Sequence, residues 1–301
     1  MYLQYFNITE RPFELLPDTE YFYEYDCYQE ALNVLFVAIR TGEGFIKVTG
    51  EVGTGKTMLC RKLLNSLEDG YVTAFIPNPF LTPSQLRIAL ADELGIDYQE
   101  GYQNNVNDFR LMKDIIACLM EYNRQGKQVV VCLDEVQTMN ISTLEELRLL
   151  SNIETEKSKL LQIVMFGQPE LDERLMQKDL RQLNQRISFS YNLKPVNRKN
   201  ISNYINHRLH VAGYSGGNLF SSRAIAKINK NSKGVPRKIN ILCNKAMMLA
   251  FGKGNTNVSY WHVRQAIADE DDGLSASYSI NFAITFIGLC ALFASILVVA
   301  K

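Results

Sequence analysis

The stretch Gly50-Glu51-Val52-Gly53-Thr54-Gly55-Lys56-Thr57 decides the fold of this 301-residue chain. It fits the phosphate-binding pattern G-x-x-x-x-G-K-[ST] in full, and its neighbours supply the structural context that the pattern needs. Residues 45–49, directly upstream, read as a short buried strand, and apolar residues recur at helical spacing over 58–67. Strand, glycine loop and helix together aim backbone N–H groups and a helix N-terminus at a phosphate chain. The stretch, called the P-loop below, therefore predicts a nucleoside triphosphate site.

Each residue type in the P-loop suits one part of a bound triphosphate. The glycines let the backbone approach the anion, Lys56 is expected to reach the β- and γ-phosphates, and the Thr57 hydroxyl is expected to ligate Mg²⁺. A chance glycine turn is the alternative, since the bare pattern should occur in roughly one chain in a hundred of this size. The flanking strand and helix make that alternative a minor one. The predicted nucleotide-binding residues are Gly50, Glu51, Val52, Gly53, Thr54, Gly55, Lys56, Thr57 and Met58.

The chain up to Pro195 alternates apolar strand patterns with helical patterns. Residues 128–133 and 160–166 are apolar without alternation, which is typical of strands covered on both faces. Residues 187–193 alternate instead, so this strand is expected near a sheet edge. Strands separated by helices predict an α/β fold with a parallel, doubly wound five-stranded sheet. The predicted strands are 45–49, 71–76, 128–133, 160–166 and 187–193, and one helix is expected over 170–184.

The chain is expected to contain two folded domains followed by a linker. Residues 1–195 form the α/β domain, beginning with an irregular, aromatic-rich lead-in over 1–29. Only helical patterns occur from 196 to 268, which predicts a small all-helical domain. An acidic stretch, 269–279, is expected to act as a linker.

The segment 280–300 has 21 residues and no charged side chain. As a helix with about 1.5 Å of rise per residue it would span roughly 31 Å, close to the ~30 Å hydrocarbon core of a bilayer. A buried core helix is the alternative, but helices of soluble domains rarely lack charge over such a length. We therefore expect one membrane-spanning helix, with the nucleotide-binding domain in the cytoplasm, where ATP is found. The flanking charges give this orientation little support, because the cytoplasmic flank is acidic and Lys301 lies on the far side.

Composition limits the partners and the compartment. Charge is balanced, with 32 basic and 32 acidic residues, so no overall field favours nucleic acid or an acidic surface. The N-terminus shows no secretory signal pattern. The cysteines lie apart from one another, with no C-x-x-C pair and no metal-ligand spacing, which indicates reduced thiols in a reducing compartment. The six are Cys27, Cys60, Cys118, Cys132, Cys243 and Cys290.

Two acidic residues follow the predicted strand 128–133. Asp134 stands where a second acidic ligand is needed to hold Mg²⁺ next to the P-loop, usually through water. Glu135 is placed to orient or deprotonate an attacking water. A solvated strand end is the alternative interpretation of such a pair, but the P-loop upstream favours the catalytic one. The predicted reaction is hydrolysis of ATP by in-line attack of water, with Lys56, Mg²⁺ and the loop amides stabilising the developing charge.

Several of these motifs together resemble the AAA+ ATPases of the ExeA/GspA group, which assist general secretion and type IV pilus assembly in Gram-negative bacteria. The resemblance covers residues 1 to about 268. Members of the group usually continue beyond a membrane span into a peptidoglycan-binding domain. This chain ends at Lys301, and in that respect it is more similar to the ATPase of the mannose-sensitive haemagglutinin (MSHA) pilus system. The matching motifs are GEVGTGKT at 50–57, Asp134-Glu135, GQPEL at 167–171, RQLNQRI at 181–187, and the opening Arg11-Pro12-Phe13 with Pro17-Asp18.

The resemblance implies roles for further residues. Gln168 corresponds to a polar sensor residue that contacts the γ-phosphate. Arg186 corresponds to an arginine finger that completes a neighbouring subunit's site, with Arg181 as the alternate. Arg237, in the motif Gly234-Val235-Pro236-Arg237, corresponds to a second sensor that reaches the nucleotide from the helical lid.

The resemblance also implies roles around the base and the adenine, and it implies partners. Asn78 is expected to hold Glu135 inactive until a partner binds, and Pro12 with Phe13 is expected to line the adenine pocket. The implied assembly is a homo-oligomer, expected to be a ring. Its partners would be inner-membrane proteins of a pilus or secretion apparatus, and the implied location is the bacterial inner membrane.

Two other function classes stay open on the sequence. One is a DNA-associated AAA+ helper related to transposition regulators, favoured by basic residues near and within the helical domain. The neutral net charge and the lack of aromatic residues among those bases count against it. The other is a scaffold that binds ATP but hardly hydrolyses it. The basic residues are Lys194, Arg198, Lys199, Arg208, Lys227, Lys230, Lys233, Arg237 and Lys238.

Overall fold

The computed structural model of the chain describes residues 2–77, 80–97, 105–156 and 158–270. Its contacts divide the chain into two compact units. The α/β unit comprises Leu16–Asn200 together with Val235–Arg237. The helical unit comprises, within the described residues, 2–15, Ile201–Gly234 and 238–270.

The α/β unit is built on a five-stranded sheet in the order β2-β3-β4-β1-β5, and all four strand pairings are parallel. Its three inner strands are almost fully buried, because helices cover both faces. In β5, at one edge, half-buried and exposed residues alternate. The predicted parallel sheet is confirmed, including the position of its last strand. The strands are β1 (Phe45–Thr49), β2 (Tyr71–Ile76), β3 (Gln128–Leu133), β4 (Leu161–Gly167) and β5 (Ile187–Asn192).

Helix α3 (Lys56–Ser66) lies within two residues of the helical pattern at 58–67, and local sequence signals also fix the start of the helix after β2. Helix α4 begins with a capping box, in which the Thr82 hydroxyl accepts from the Gln85 backbone N–H and the Gln85 side chain accepts from Thr82 N–H. Pro83 occupies its first turn, where a missing N–H costs nothing. The helices are α2 (Asp26–Arg40), α3 (Lys56–Ser66), α4 (Pro83–Glu93), α5 (Asn105–Arg124), α6 (Ile141–Leu150), α7 (Glu170–Leu175) and α8 (Arg181–Asn184), preceded in the helical unit by α1 (Tyr2–Tyr5).

The single helix predicted over 170–184 is wrong. The structure has α7, a 3₁₀ turn over Lys178–Leu180, and α8. Leu171 and Leu175 already face the core, and an unbroken helix would bring polar residues to that face one turn later. The break changes the phase, so that Leu180 and Leu183 are both fully buried.

The core of the α/β unit on the α4, α5 and α6 side of the sheet is apolar, and one ion pair lies beside it. Leu86, Leu90, Leu111 and Ile115 belong to this core and are at most 2% exposed. Burying each such side chain contributes about 1.5–3 kcal/mol. Arg87 Nη1 and Glu146 Oε1, on α4 and α6, lie 2.6 Å apart, with their side chains 14% and 11% exposed. This layer supports β2 and β3, and Asp134 directly follows β3.

The helical unit holds the start of the chain by backbone contacts. Thr9 donates from its N–H and its hydroxyl to Ala212 O, at 2.9 and 3.0 Å. The buried Arg208 donates from Nε to Pro12 O at 2.5 Å and from Nη2 to Glu14 O at 3.2 Å. The first fifteen residues therefore group with the helical unit and not, as the sequence suggested, with the α/β domain. The helices of this unit after α1 are α9 (Ile201–Val211), α10 (Ser222–Ser232), α11 (Pro236–Gly252) and α12 (260–270).

The last part of the chain contains the expected linker and the expected membrane anchor. Helix α12 continues through Asp269 and Glu270, the first two residues of the expected acidic linker. In the part of the chain that the structure describes, no helix is both long enough and apolar enough to cross a bilayer. The predicted membrane segment, 280–300, lies outside the described residues.

Candidate functional site

The P-loop connects β1 to α3 with two glycines in the left-handed region. Gly53 has φ +78° and Gly55 has φ +96°. A Cβ on Gly53 would lie 2.7 Å from Arg237 Cβ, and a Cβ on Gly55 would collide with the Tyr28 hydroxyl. Tyr28 OH donates a short hydrogen bond to Thr54 O. Both conformation and crowding therefore require glycine at these two positions.

Lys56 is buried at the start of α3. Its Nζ donates to Gly50 O at 2.7 Å and to Glu51 O at 3.1 Å, so the ammonium lies inside the curve of the loop. Burial lowers the pKa of Lys56, while the carboxylates of Glu135 and Asp134 act in the opposite direction. Both of these acceptors are uncharged carbonyl oxygens, so a phosphate anion would form stronger, charge-assisted hydrogen bonds with this ammonium.

The two halves of the predicted metal site meet directly. The Thr57 hydroxyl donates to Asp134 Oδ2 at 2.5 Å, although the two residues are 77 positions apart. Asp134 follows β3 and is 4% exposed. Burial raises the pKa of Asp134, and the hydrogen bonds from Thr57 and from the Glu135 N–H lower it in part. A hydroxyl and a carboxylate are hard oxygen ligands of the kind that Mg²⁺ prefers, so these residues fit the ion that the sequence predicts.

Glu135 leaves β3 in a left-handed conformation that is uncommon for a residue with a side chain. Its φ is 55° and its ψ 34°. Two side-chain amides donate to the same carboxylate oxygen, Glu135 Oε2. Gln137 Nε2 lies 2.6 Å from it and Gln168 Nε2 2.9 Å from it. The sensor residue and the base predicted from sequence therefore touch, because β3 and β4 are neighbours in the sheet.

The predicted arginines lie in different surroundings. Arg186 is half-buried, and its Nη1 donates to Ser151 Oγ, at the end of α6, at 3.1 Å. Arg181 is exposed on α8. Arg237 has an exposed side chain, and its backbone N–H donates to Gly53 O at 3.2 Å. The motif containing Arg237 therefore contacts the P-loop through its backbone.

Three further predicted site residues, Pro12, Phe13 and Asn78, lie outside the described part of the α/β unit. Phe13 is 2% exposed, and its ring packs edge-on against Phe220 in the helical unit, 6.0 Å between centroids. Pro12 accepts the Arg208 hydrogen bond in the same unit. Asn78 lies outside the described residues. The adenine-pocket and switch roles of these residues therefore stay predictions.

The structure adds three residues that sequence reasoning missed. Gln137 contacts Glu135, Tyr28 covers the P-loop, and Arg174 donates to the carbonyls of Gln137 and Met139. Gln137 lies two residues after Glu135, so a search for amides near the acidic pair could have found it. Tyr28 and Arg174 reach the site only through tertiary contacts, and their local sequence gives no signal.

The sequence is similar to known ATPase-domain and secretion proteins. A family model described as an AAA domain matches residues 39–175. General secretion pathway protein A of Aeromonas hydrophila is 39% identical over 267 residues, which are 88% of this chain and 48% of that protein. The chain thus spans about half the length of this curated relative.

Solved structures agree on the fold. Cdc6p of Pyrobaculum aerophilum superposes with a TM-score of 0.66 at 15% identity, over 84% of this chain and 70% of that one. The RuvB Holliday junction branch migration motor of Thermotoga maritima superposes with a TM-score of 0.54 at 16% identity, over 80% and 67%. At such low identity these two likenesses support the α/β P-loop NTPase fold alone.

Proposed function

Because this chain belongs to the ExeA/GspA family of AAA+ ATPases, we propose that it hydrolyses ATP in a Mg²⁺-dependent reaction. One observation carries the proposal. Thr57 of the P-loop and Asp134 after β3 meet at 2.5 Å, with the buried Lys56 and the carboxylate of Glu135 beside them. No single stretch of sequence could bring these four side chains together.

Each side chain has a task in this reaction. Thr57 and Asp134 would hold Mg²⁺, which would supply positive charge to neutralise the phosphates. Lys56 binds the phosphate oxygens with an ammonium that burial keeps away from water. Glu135 orients the attacking water and accepts its proton. Gln168, whose Nε2 donates to Glu135 Oε2, is the sensor that would contact the γ-phosphate, and its hydrogen bond would link that contact to the base.

ATP turnover by purified variants tests the activity. Lys56→Ala is expected to lose nucleotide binding and turnover together, because the buried cation is removed. Glu135→Gln is expected to bind nucleotide normally and to turn over about 10²–10⁴-fold more slowly, since only proton acceptance is lost. A fluorescent ATP analogue measures binding, and phosphate release measures turnover.

Glu173→Gln, the same change at an exposed position on α7, is the matched control and should behave as wild type. Normal ATP consumption by a variant with both Lys56 and Asp134 replaced by alanine would overturn the proposal. Slow turnover in the wild type that Glu135→Gln leaves unchanged would favour the nucleotide-gated scaffold instead.

The same proposal extends to the cellular role. The relative that is 39% identical is named for the general secretion pathway, which supports a role of this chain in type II secretion. The proposal also includes a role in assembling an MSHA-like pilus and a ring of identical subunits. It further includes anchoring in the bacterial inner membrane through 280–300. A DNA-associated helper is not favoured, because the relative that is 39% identical is named for secretion. Co-purification of the Glu135→Gln variant from detergent-solubilised membranes with ATP should trap the partner proteins.

A further inference from the structure

Gln137 makes hydrogen bonds with both ends of its side-chain amide. Its Nε2 donates to Glu135 Oε2 at 2.6 Å, and its Oε1 accepts from the backbone N–H of Gln168 at 2.9 Å. A backbone N–H can only donate and a carboxylate can only accept, so the two neighbours fix which end of the amide faces which. The side chain therefore joins the carboxyl end of β3 to the carboxyl end of β4.

The segment that carries Gln137 is itself held in place. It is a 3₁₀ turn over Val136–Thr138, directly after Glu135. Arg174 on α7 donates from Nη1 to Gln137 O, and from Nη2 to Met139 O at 2.5 Å. Thr138 Oγ1 donates to Glu135 O at 2.8 Å. The backbone on both sides of the Gln137 side chain is thus fixed by contacts independent of the amide.

The hydrogen bonds at Glu135 are unequal between its two oxygens. Gln137 and Gln168 both donate to Oε2. Among the described residues, no hydrogen bond to Oε1 is found. Two donors on one oxygen fix the plane of the carboxylate, and they direct the other oxygen away from the amides. Since a proton acceptor must lie within about 2.6–3.2 Å of the water that it activates, this orientation decides whether Glu135 can act.

We propose that Gln137 is a positioning residue that sets the orientation of the Glu135 carboxylate and ties it to Gln168. This inference rests on the proposed ATPase activity and assigns to Gln137 no contact with nucleotide. Gln168 reaches Glu135 through its side chain and Gln137 through its backbone N–H. A shift of Gln168 toward a phosphate would therefore act on the base by both routes.

Three substitutions at this position separate positioning from packing. Gln137→Met keeps the length and removes both hydrogen bonds, and we expect kcat to fall about tenfold or more, because a displacement near 1 Å can cost about 10²-fold in rate. KM for ATP and the Kd of a fluorescent ATP analogue should stay within about twofold. Gln137→Glu places a second carboxylate against Glu135 and should lower kcat further. Gln137→Asn is one methylene too short to bridge the strands and should resemble the methionine variant.

Gln125→Met is the matched control. Gln125 Nε2 donates to Glu121 Oε1 at 3.1 Å at the exposed end of α5, so this variant loses the same kind of bond far from the site. It should keep wild-type kcat and KM. If Glu135→Gln stops turnover while Gln137→Met keeps wild-type kcat, the positioning role is refuted and the ATPase proposal stands. If Gln137→Met raises KM and Kd together with lowering the melting temperature, Gln137 is a structural residue and the proposal is equally refuted. If Glu135→Gln itself has no effect, the proposed function fails first.

Discussion

Lys56, Asp134 and Glu135, at the carboxyl end of the sheet, are arranged for binding at a cost to the stability of the fold. Burial lowers the pKa of Lys56 and raises that of Asp134, so the charged form of each is disfavoured in the folded chain. Glu135 adds a left-handed backbone conformation, which costs of order 1–3 kcal/mol. Such arrangements concentrate where a ligand supplies the missing interactions.

Asp134→Asn is expected to melt at a higher temperature than wild type at neutral pH. The amide can keep both hydrogen bonds, accepting from the Glu135 N–H and donating to Thr57 Oγ1, while the cost of burying a charge disappears. Because burial raises the folded pKa of Asp134 above its unfolded value, the folded chain binds this proton more readily. Ionisation of Asp134 therefore destabilises the fold above the folded pKa.

Thermal unfolding across a pH series measures this effect. The difference in melting temperature should shrink as pH falls through the folded pKa of Asp134, where the wild type becomes neutral as well. Asp69→Asn, on an exposed residue before β2, is the control and should show no such pH-dependent gain. A melting temperature of Asp134→Asn below that of wild type at neutral pH would contradict the prediction that burying the charged carboxylate destabilises the fold.

Among the secondary-structure elements, α7 and α8, between β4 and β5, determine where the two candidate finger arginines lie. The break after α7 buries Leu180 and Leu183 and leaves Arg181 exposed on α8. Arg186 follows α8 and is hydrogen-bonded to Ser151 at the end of α6. The position of the expected arginine finger therefore depends on how this segment packs against α6.

Arg186→Ala is expected to abolish ATP turnover and to leave nucleotide binding intact, because a finger acts on a neighbouring subunit's nucleotide and is worth about 10³–10⁵ in rate. Mixing Arg186→Ala with Lys56→Ala subunits should restore part of the turnover. In mixed assemblies an intact P-loop then meets an intact arginine.

Arg181→Ala and Ser151→Ala are the companion variants. The first decides between the two candidate arginines, and the second removes the hydrogen-bond partner of Arg186 while keeping its guanidinium. Wild-type turnover by Arg186→Ala, combined with loss of turnover in Arg181→Ala, would transfer the role to Arg181.

The whole molecule consists of two units with different contents. The α/β unit carries the P-loop, Asp134 and Glu135 on a parallel sheet. The helical unit takes in the first fifteen residues of the chain and, within the described residues, ends with helix α12. Their boundary lies between Asn200 and Ile201, a few residues after the one expected from sequence.

At this scale we expect the full chain to associate with membranes through 280–300. The full chain should sediment with membranes, resist alkaline extraction and require detergent, whereas a chain lacking 280–301 should stay in the supernatant with unchanged ATP turnover. Fractionation followed by immunoblotting measures the distribution. Recovery of the full chain in the supernatant without detergent would contradict the anchor.

The sequence by itself determined the sheet and the phosphate end of the site. Strands β1, β2 and β3 begin and end at the predicted residues, because Gly, Pro or acidic residues next to each short run mark where a strand stops. The P-loop and the pair Asp134 and Glu135 were found because their chemistry depends on residues close together in sequence.

Only the tertiary structure decided which distant side chains complete the site. The hydrogen bonds of Gln137 to Glu135 and Gln168, of Tyr28 to Thr54 and of Arg174 to the turn after β3 join different elements. The break after α7 and the place of the first fifteen residues were likewise set by burial and by backbone partners. Periodicity records which face of an element is apolar, but it does not record which element covers that face, and so these contacts had to be seen in the fold.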